Sequence, residues 1–501
     1  MEVILAGFLD TFTLTNIAFI FLGVTMGVFV GAVPGLNGPM AIALAVPMTY
    51  YMPSLAAISF LIGINKGGTY GGSIAAILLN TPGSPEAAAT CYDGYPLAKQ
   101  GKGEKALKMA LYSSVFGDTF SDFVLILVAA PIAIVALKMG PPEILSVIIF
   151  SLTIIAGLES NQLVKGLIGA GLGIFLSTVG MDPNTATHRL TFGLWELENG
   201  ISLMAVGIGT LALSEVLVQL EAKGGAQKKI FELDKIQKKE DRRVSLQEFR
   251  GVLRTLVRSS LIGTALGALP GLGAVIASFL GYGAAKRASK DPDSFGKGNI
   301  EGVAAAEAAN NAVIGSNLIP LFTLGIPGNV ASALLIGAFI IHGIIPGPLM
   351  FEEHGRLVYG IYGGMLVGNI FNLFIGAIGL RIFVRVLSIP RNIIYPVVIF
   401  ICITGAYIAD NSLFAVGMMI CFAVLGYFMK KLEFSFITFI VGFVLGPMFE
   451  MSLQQTLIIS RNNIFTMFQR PIVLVFMAFT VVFLWRVIQR SRKAAQKTLS
   501  K

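Results

Sequence analysis

Charge is scarce in this chain. Asp, Glu, Lys and Arg make up 13% of its 501 residues, against roughly 25% in soluble globular domains. Residues 11–65 and 308–351 hold none of the four. A bilayer span needs only roughly 20 predominantly apolar residues, and 55% of this chain is hydrophobic. A soluble fold is excluded, and so is a β-barrel, whose segments would be short and alternating. Cysteine is equally sparse. Cys91, Cys402 and Cys421 have no spacing that predicts a disulfide framework or a metal site. No HExxH motif and no GxxxxGK[ST] phosphate loop occurs, which argues against a zinc hydrolase and against ATP-driven transport. GGSI (71–74) has a serine but no nucleophile elbow. The start, MEVILAGFLD, lacks a basic region and a small-residue cleavage site, so no cleaved leader is expected. The net charge of +9 sits in hydrophilic loops, as in the cytoplasmic connections of a membrane protein, and does not point to nucleic acid.

What remains is a series of apolar stretches. They lie near 14–33, 39–50, 54–80 (broken), 107–137, 143–158, 163–181 and 197–220, then near 252–269, 271–285, 303–345 (broken), 356–380, 392–409, 411–429, 433–449 and 470–487. A charged linker, 221–250, separates the two series. The halves echo each other. GVFVGAVPGL (27–36) aligns without a gap on GTALGALPGL (263–272), matching Leu36 to Leu272. NTPGS (80–84) is echoed by GIPGN (325–329), and GDTF (117–120) by GNIF (368–371), in the same order. An internal duplication is expected.

Loop charge sets its orientation. Basic residues fill 99–108, 221–258, 286–297, 381–391 and the tail RVIQRSRKAAQKTLSK. The counterpart of 286–297 is the uncharged TYYMPS (49–54), and that of 99–108 is the acidic FEEHGR (351–356). By the positive-inside rule, matching loops then lie on opposite sides of the membrane. The expected fold is an all-α polytopic membrane protein: two inverted-topology repeats with broken helices or re-entrant hairpins, about 11–14 membrane segments. Its expected divisions are a first repeat (1–220), a cytoplasmic linker (221–250), a second repeat (251–450), and a final helix with a cytoplasmic tail (451–501).

Both halves break their backbone at the same relative place. Each unsatisfied group at membrane depth costs several kcal/mol unless it faces protein or water. The paired Pro-Gly turns free amide N–H groups, and a helix that starts after such a turn adds positive dipole, which suits a carboxylate. Asn80, Thr81, Gly83 and Ser84 in the first turn, and Gly328 and Asn329 in the second, are the candidate substrate contacts, with Thr323 nearby. Asn37, after the first PGL, joins them. Taken one at a time, most glycines here are expected to serve helix packing.

YGGSIAAILLNTPGSPEAAATCYDGYPLAKQG (70–101) and EGVAAAEAANNAVIGSNLIPLFTLGIPGNVASALLIGAFIIHGIIPGPLMF (301–351) resemble the two signatures of the large membrane subunit of tripartite tricarboxylate transporters, the TctA-like proteins. The resemblance runs over nearly the whole chain. It implies a permease of the bacterial inner membrane that works with a small four-helix membrane subunit and a periplasmic solute-binding receptor. It further implies uptake of citrate-like di- or tricarboxylates on an ion gradient, Na⁺ or H⁺, with no enzyme activity. A carrier or channel for another small anion is the alternative, ahead of an intramembrane hydrolase.

INKGGTYGGS (64–73) departs from the family pattern by carrying Lys66, the only charged residue between Asp10 and Glu86. An intramembrane cation is a functional candidate by default. It either complements a substrate carboxylate, or snorkels to an interface, or pairs with Glu307. Glu307, Asn310 and Asn311 precede the second break, and their oxygens suit Na⁺. Asp118 is added as a cation or proton site; Asp118 and Asp122 share a helix face, where helix-to-helix hydrogen bonding is the plainer expectation. His342 and His354 receive no role.

Overall fold

Helices form along the apolar runs because a backbone in lipid satisfies its polar groups only by bonding to itself. The computed structural model describes residues 2–159, 163–182, 185–221, 239–271, 273–387 and 389–499. Most of the expected linker (222–238), and Leu272 of the second PGL, lie outside the described residues.

The first half runs α1 (Glu2–Asp10), α2 (Leu14–Ala32), α3 (Gly38–Ala45), α4 (Ser54–Leu79), α5 (Cys91–Lys99), α6 (Gly103–Ala136), α7 (Pro141–Glu159), α8 (Leu163–Ser177), α9 (Leu203–Gly207) and α10 (Ser214–Glu221). A π-helical stretch, Ile208–Leu213, joins the last two into one span. The second half runs α11 (Leu246–Gly267), α12 (Ala274–Ala288), α13 (Ile300–Ser316), α14 (Leu318–Leu324), α15 (Val330–Ile341), α16 (Met350–Glu353), α17 (Gly355–Val386), α18 (Arg391–Asp410), α19 (Leu413–Lys431) and α20 (Phe436–Ile459). α21 (Pro471–Leu499) ends the chain. Among the described residues, eight helices are long and apolar enough to cross a membrane, and three shorter apolar helices accompany them. The protein is an all-α polytopic membrane protein. α20 continues past the boundary expected at 450.

One break falls elsewhere than expected. The stretch 54–80 is unbroken from Ser54 to Leu79, and the interruption comes at its end, where Asn80 takes the left-handed conformation (φ 52°, ψ 35°). The glycines within α4 do not break it because they serve packing. A methyl group at Gly67 or Gly71 would overlap the carbonyls of Val24 or Val28 on α2, and one at Gly27 would overlap Ile64 on α4. Lipid offers no hydrophobic drive between helices, so close backbone approach through small residues takes its place. Gly263 and Gly267 of α11 press on Ala309, Val313 and Ser316 of α13 in the same way.

The halves interlock. α6 packs on α13 while α17 packs on α4 and α2; α8 packs on α20 while α19 packs on α9, α10 and the π-helical stretch. The largest apolar core gathers α3, α14, α15, α19 and α20. A second core joins α2, α4, α5, α6 and α17. Lys66, Asp118, Asp122 and Glu307 are buried where α4, α6, α13 and α17 meet.

Candidate functional site

Two Pro-Gly turns shape the site. In the first, α4 ends at Asn80, and the chain folds back so that the Gly83 N–H donates to the Gly72 carbonyl at 3.1 Å. Thr81 Oγ1 reaches the Leu79 carbonyl at 3.4 Å, and Ser84 is buried. In the second, α14 ends on Gly325 in the left-handed conformation (φ 71°). Gly328 accepts a 2.8 Å hydrogen bond from the Gly271 N–H of the second PGL. Each turn lies on the residue eleven places earlier. A methyl at Gly83 would stand 2.8 Å from the Gly72 Cα, and one at Gly328 would stand 2.8 Å from the Asn317 Cβ.

The two turns lead into different structures. The second leads directly into α15, whose N-terminus is capped by Asn329: Ser332 N donates to Asn329 Oδ1, and Asn329 N donates to Ser332 Oγ, both at 2.9 Å. The expected dipole therefore stands behind this turn. The first leads only into a single 3₁₀ turn, Pro85–Ala88, before α5 begins at Cys91. No long helix starts at Ser84, so the expected dipole is missing there. Asn37 caps α3 through a 3.0 Å bond from Met40 N, and Thr323 bonds its own helix at Ile319.

Lys66 lies mid-way along α4 and is fully buried. Its ammonium donates to Asp122 Oδ2 at 2.8 Å and Oδ1 at 3.1 Å, and to Asn369 Oδ1 on α17 at 2.9 Å. Asp118 Oδ1 stands 3.5 Å away. Asn369 Nδ2 in turn donates to Asp122 Oδ2 at 2.7 Å. This corrects two expectations for Lys66, the snorkelling position and the Glu307 partner. Complete burial removes the first, and the two aspartates supply the counter-charge. Breaking such a pair from one side is far more damaging than replacing both partners.

Glu307 belongs to a separate cluster. Its carboxylate accepts hydroxyl hydrogen bonds from Ser73 (2.6 Å), Thr90 and Ser114 (2.9 Å), which come from α4, the stretch before α5, and α6. Asn311 Nδ2 donates to the Glu307 carbonyl at 2.9 Å and to Asn310 Oδ1 at 2.6 Å. Asn311 Oδ1 is buried without a hydrogen-bond partner among the described residues. Glu307, Asn310 and Asn311 are thus brought together, whereas Asp118 stands with Lys66.

Sequence inspection missed Asn317. It lies between α13 and α14, 1% exposed, and neither its Nδ2 nor its Oδ1 has a hydrogen-bond partner among the described residues. The alignment of the two turns held the signal, since Asn317 precedes Gly328 by the interval that separates Gly72 from Gly83. The hydroxyls of Ser73, Thr90 and Ser114 were missed too. Isolated serines and threonines in apolar helices most often bond their own backbone, as Thr25 does here.

A 52.8 kDa protein of the TAR-I ttuC' 3' region of Agrobacterium vitis is 35% identical over 469 residues, covering 93% of this chain and 92% of that protein. A protein of the TAR-II ttuC' 3' region of the same organism is 39% identical over 210 residues, 42% of this chain and 87% of its own length. No solved structure matches. Residues 17–441 match the model of the tripartite tricarboxylate transporter TctA family, and the chain belongs to that family.

Proposed function

We propose that this protein is the large permease subunit of a receptor-dependent secondary transporter that imports organic di- or tricarboxylates on a cation gradient. The observation that carries the reading is the pair of Pro-Gly turns, each folded onto the residue eleven places before it. One carboxylate site is formed between them. Its donors are the backbone amides around Gly83 and Gly328, the N-terminus of α15, and the side chains of Ser84 and Asn317. Asn80, Thr81, Asn37 and Asn329 hold the turns and adjoining helix ends in shape. The partners are a small membrane subunit and a periplasmic receptor. The membrane is a bacterial inner membrane. Cells expressing all three subunits test the reading: they accumulate at least one labelled carboxylate from a di- and tricarboxylate panel, and cells lacking this subunit do not. Equal accumulation in both overturns it.

The halves are taken to be inverted in topology, with the linker and C-terminus cytoplasmic, because matching loops carry opposite charge. Cysteines placed at Ser54 and Ser245 should then react oppositely with an impermeant thiol reagent on intact spheroplasts. Equal reaction removes the inversion.

Glu307, Asn310 and Asn311, with the three hydroxyls, form the proposed Na⁺ site. They offer carboxylate, hydroxyl and carboxamide oxygens, the donors a hard cation takes, and Asn311 Oδ1 has no other partner among the described residues. Glu307→Gln and Asn310→Ala should raise the Na⁺ concentration that half-activates uptake, with membrane abundance preserved. An unchanged Na⁺ response in both assigns the cluster to packing.

A further inference from the structure

The Lys66 cluster does not balance. Three fully buried charged side chains meet there: one ammonium, Lys66, and two carboxylates, Asp118 and Asp122. Asp122 is well satisfied. It takes two hydrogen bonds from Lys66 and one from Asn369. Asp118 is not. Neither of its oxygens accepts a hydrogen bond from a described residue, and the ammonium, already held by Asp122 and Asn369, is 3.5 Å away. With both carboxylates ionised, the cluster would hold one uncompensated negative charge away from water, an arrangement that costs several kcal/mol.

The repeat supplies a second observation. GDTF and GNIF place Asn369 opposite Asp118 in the other half. A carboxamide is the neutral isostere of a protonated carboxyl group. Asn369 therefore presents, as a permanently neutral group, what Asp118 presents only with a proton bound. Both reach the same lysine.

We propose that Asp118 is a proton-binding site of the transport cycle, protonated in this buried arrangement and deprotonated when α6 is exposed to water. On release, the carboxyl O–H bond breaks, the proton passes to water, and Asp118 remains as a carboxylate free to pair with Lys66. Na⁺ is a poor substitute, because it would sit beside the Lys66 ammonium. The charged groups facing Asp118 are Lys66 from α4 and Asp122 from α6 itself. α17 contributes the neutral Asn369, and α14 carries no charge. Glu307 on α13 lies one turn away along α6, engaged by Ser114 and two further hydroxyls. Of the other neighbours, α5 has its buried Asp93 held by the amides of Gly296, Gly298 and Asn299, and α11 has Glu248 held by Lys105.

This inference rests on the carrier reading above but not on its Na⁺ site. The test uses proteoliposomes holding this protein and its small membrane subunit, with receptor and substrate outside and a pH dye inside, in buffer of equal Na⁺ concentration on both sides. Wild type should acidify the lumen as substrate enters, and an inward proton gradient should speed entry. Asp118→Asn should lose both the protons moved per substrate and the response to the gradient. Asp118→Glu, which keeps a titratable carboxyl group, should retain proton movement with a shifted pH profile. Substrate entry without acidification in wild type overturns the inference and leaves the carrier reading intact. Undiminished proton movement per substrate in Asp118→Asn overturns it as well. If Asp118→Asn does not insert, an Asp118→Glu pH profile identical to wild type does so. No substrate entry under any condition overturns the carrier reading, and this inference with it.

Discussion

Alanine at Gly83 or at Gly328 should stop carboxylate uptake while the protein remains in the membrane. At Gly83, the added methyl overlaps the Gly31 carbonyl and lies 2.8 Å from the Gly72 Cα; at Gly328 it meets the Asn317 Cβ at 2.8 Å and the Asn317 carbonyl at 2.9 Å. Apart from the Asn317 Cβ these are backbone atoms, and none of them can rotate aside. Overpacking of this kind costs about 1–3 kcal/mol, and its relief displaces the turn that forms the proposed site. Asn317→Ala separates binding from packing. It removes a buried carboxamide that has no partner within the described chain, so the empty protein loses no hydrogen bond. The bound substrate loses one, worth about 0.5–3 kcal/mol depending on charge, or roughly 2- to 150-fold in affinity. Asn329→Ala is a poorer probe, because Asn329 also caps α15 and losing a cap costs about 0.5–2 kcal/mol by itself. Concentration-dependent uptake, normalised to membrane abundance, reads all of these variants. Wild-type curves for both glycine variants and for Asn317→Ala would remove the turns from the site.

Lys66→Met should deplete the protein from the membrane. The variant leaves Asp118 and Asp122 buried without their cation, and breaking a buried pair from one side costs about 3–5 kcal/mol. That is a large share of the roughly 5–15 kcal/mol by which native proteins are stable. Lys66→Met combined with Asp122→Asn removes the charge from both sides and should restore abundance. Asp122→Asn alone should be milder than Lys66→Met, because Asp118 can still take up the ammonium. Quantitative immunoblotting of membranes, with thermal unfolding of detergent-purified protein, gives the order of the three. If Lys66 served only to bind substrate, Lys66→Met would be as abundant as wild type and would lose only affinity.

The helices were legible in the sequence because lipid leaves a spanning backbone no alternative, so the apolar runs alone locate them. Leu14–Ala32 and Leu413–Lys431 fall within a few residues of the stretches read for them. The turns were legible from Pro82-Gly83 and Pro327-Gly328. The continuity of α4 was not. Its glycines read as interruptions, and only the presence of α2 against them turns them into a packing face. The partners of Lys66 were hidden for a related reason. Asp122 is 56 residues away and Asn369 is 303, and periodicity within a helix carries no record of which helix lies opposite. A lone lysine in a charge-free run did announce that a counter-charge existed. The choice among Glu307, Asp118 and Asp122 depended on α6 packing against both α13 and α4, which places Ser114 against Glu307 and Asp122 against Lys66.

On the proposed function, this chain moves carboxylates across a membrane by means of its two turns, and co-reconstitution with the small membrane subunit measures that movement. With receptor added outside and an inward cation gradient imposed, vesicles should concentrate labelled substrate above its external level. Vesicles carrying Gly83→Ala or Gly328→Ala should not. Equal internal and external substrate in the wild-type vesicles, or accumulation undiminished in both glycine variants, would contradict the account.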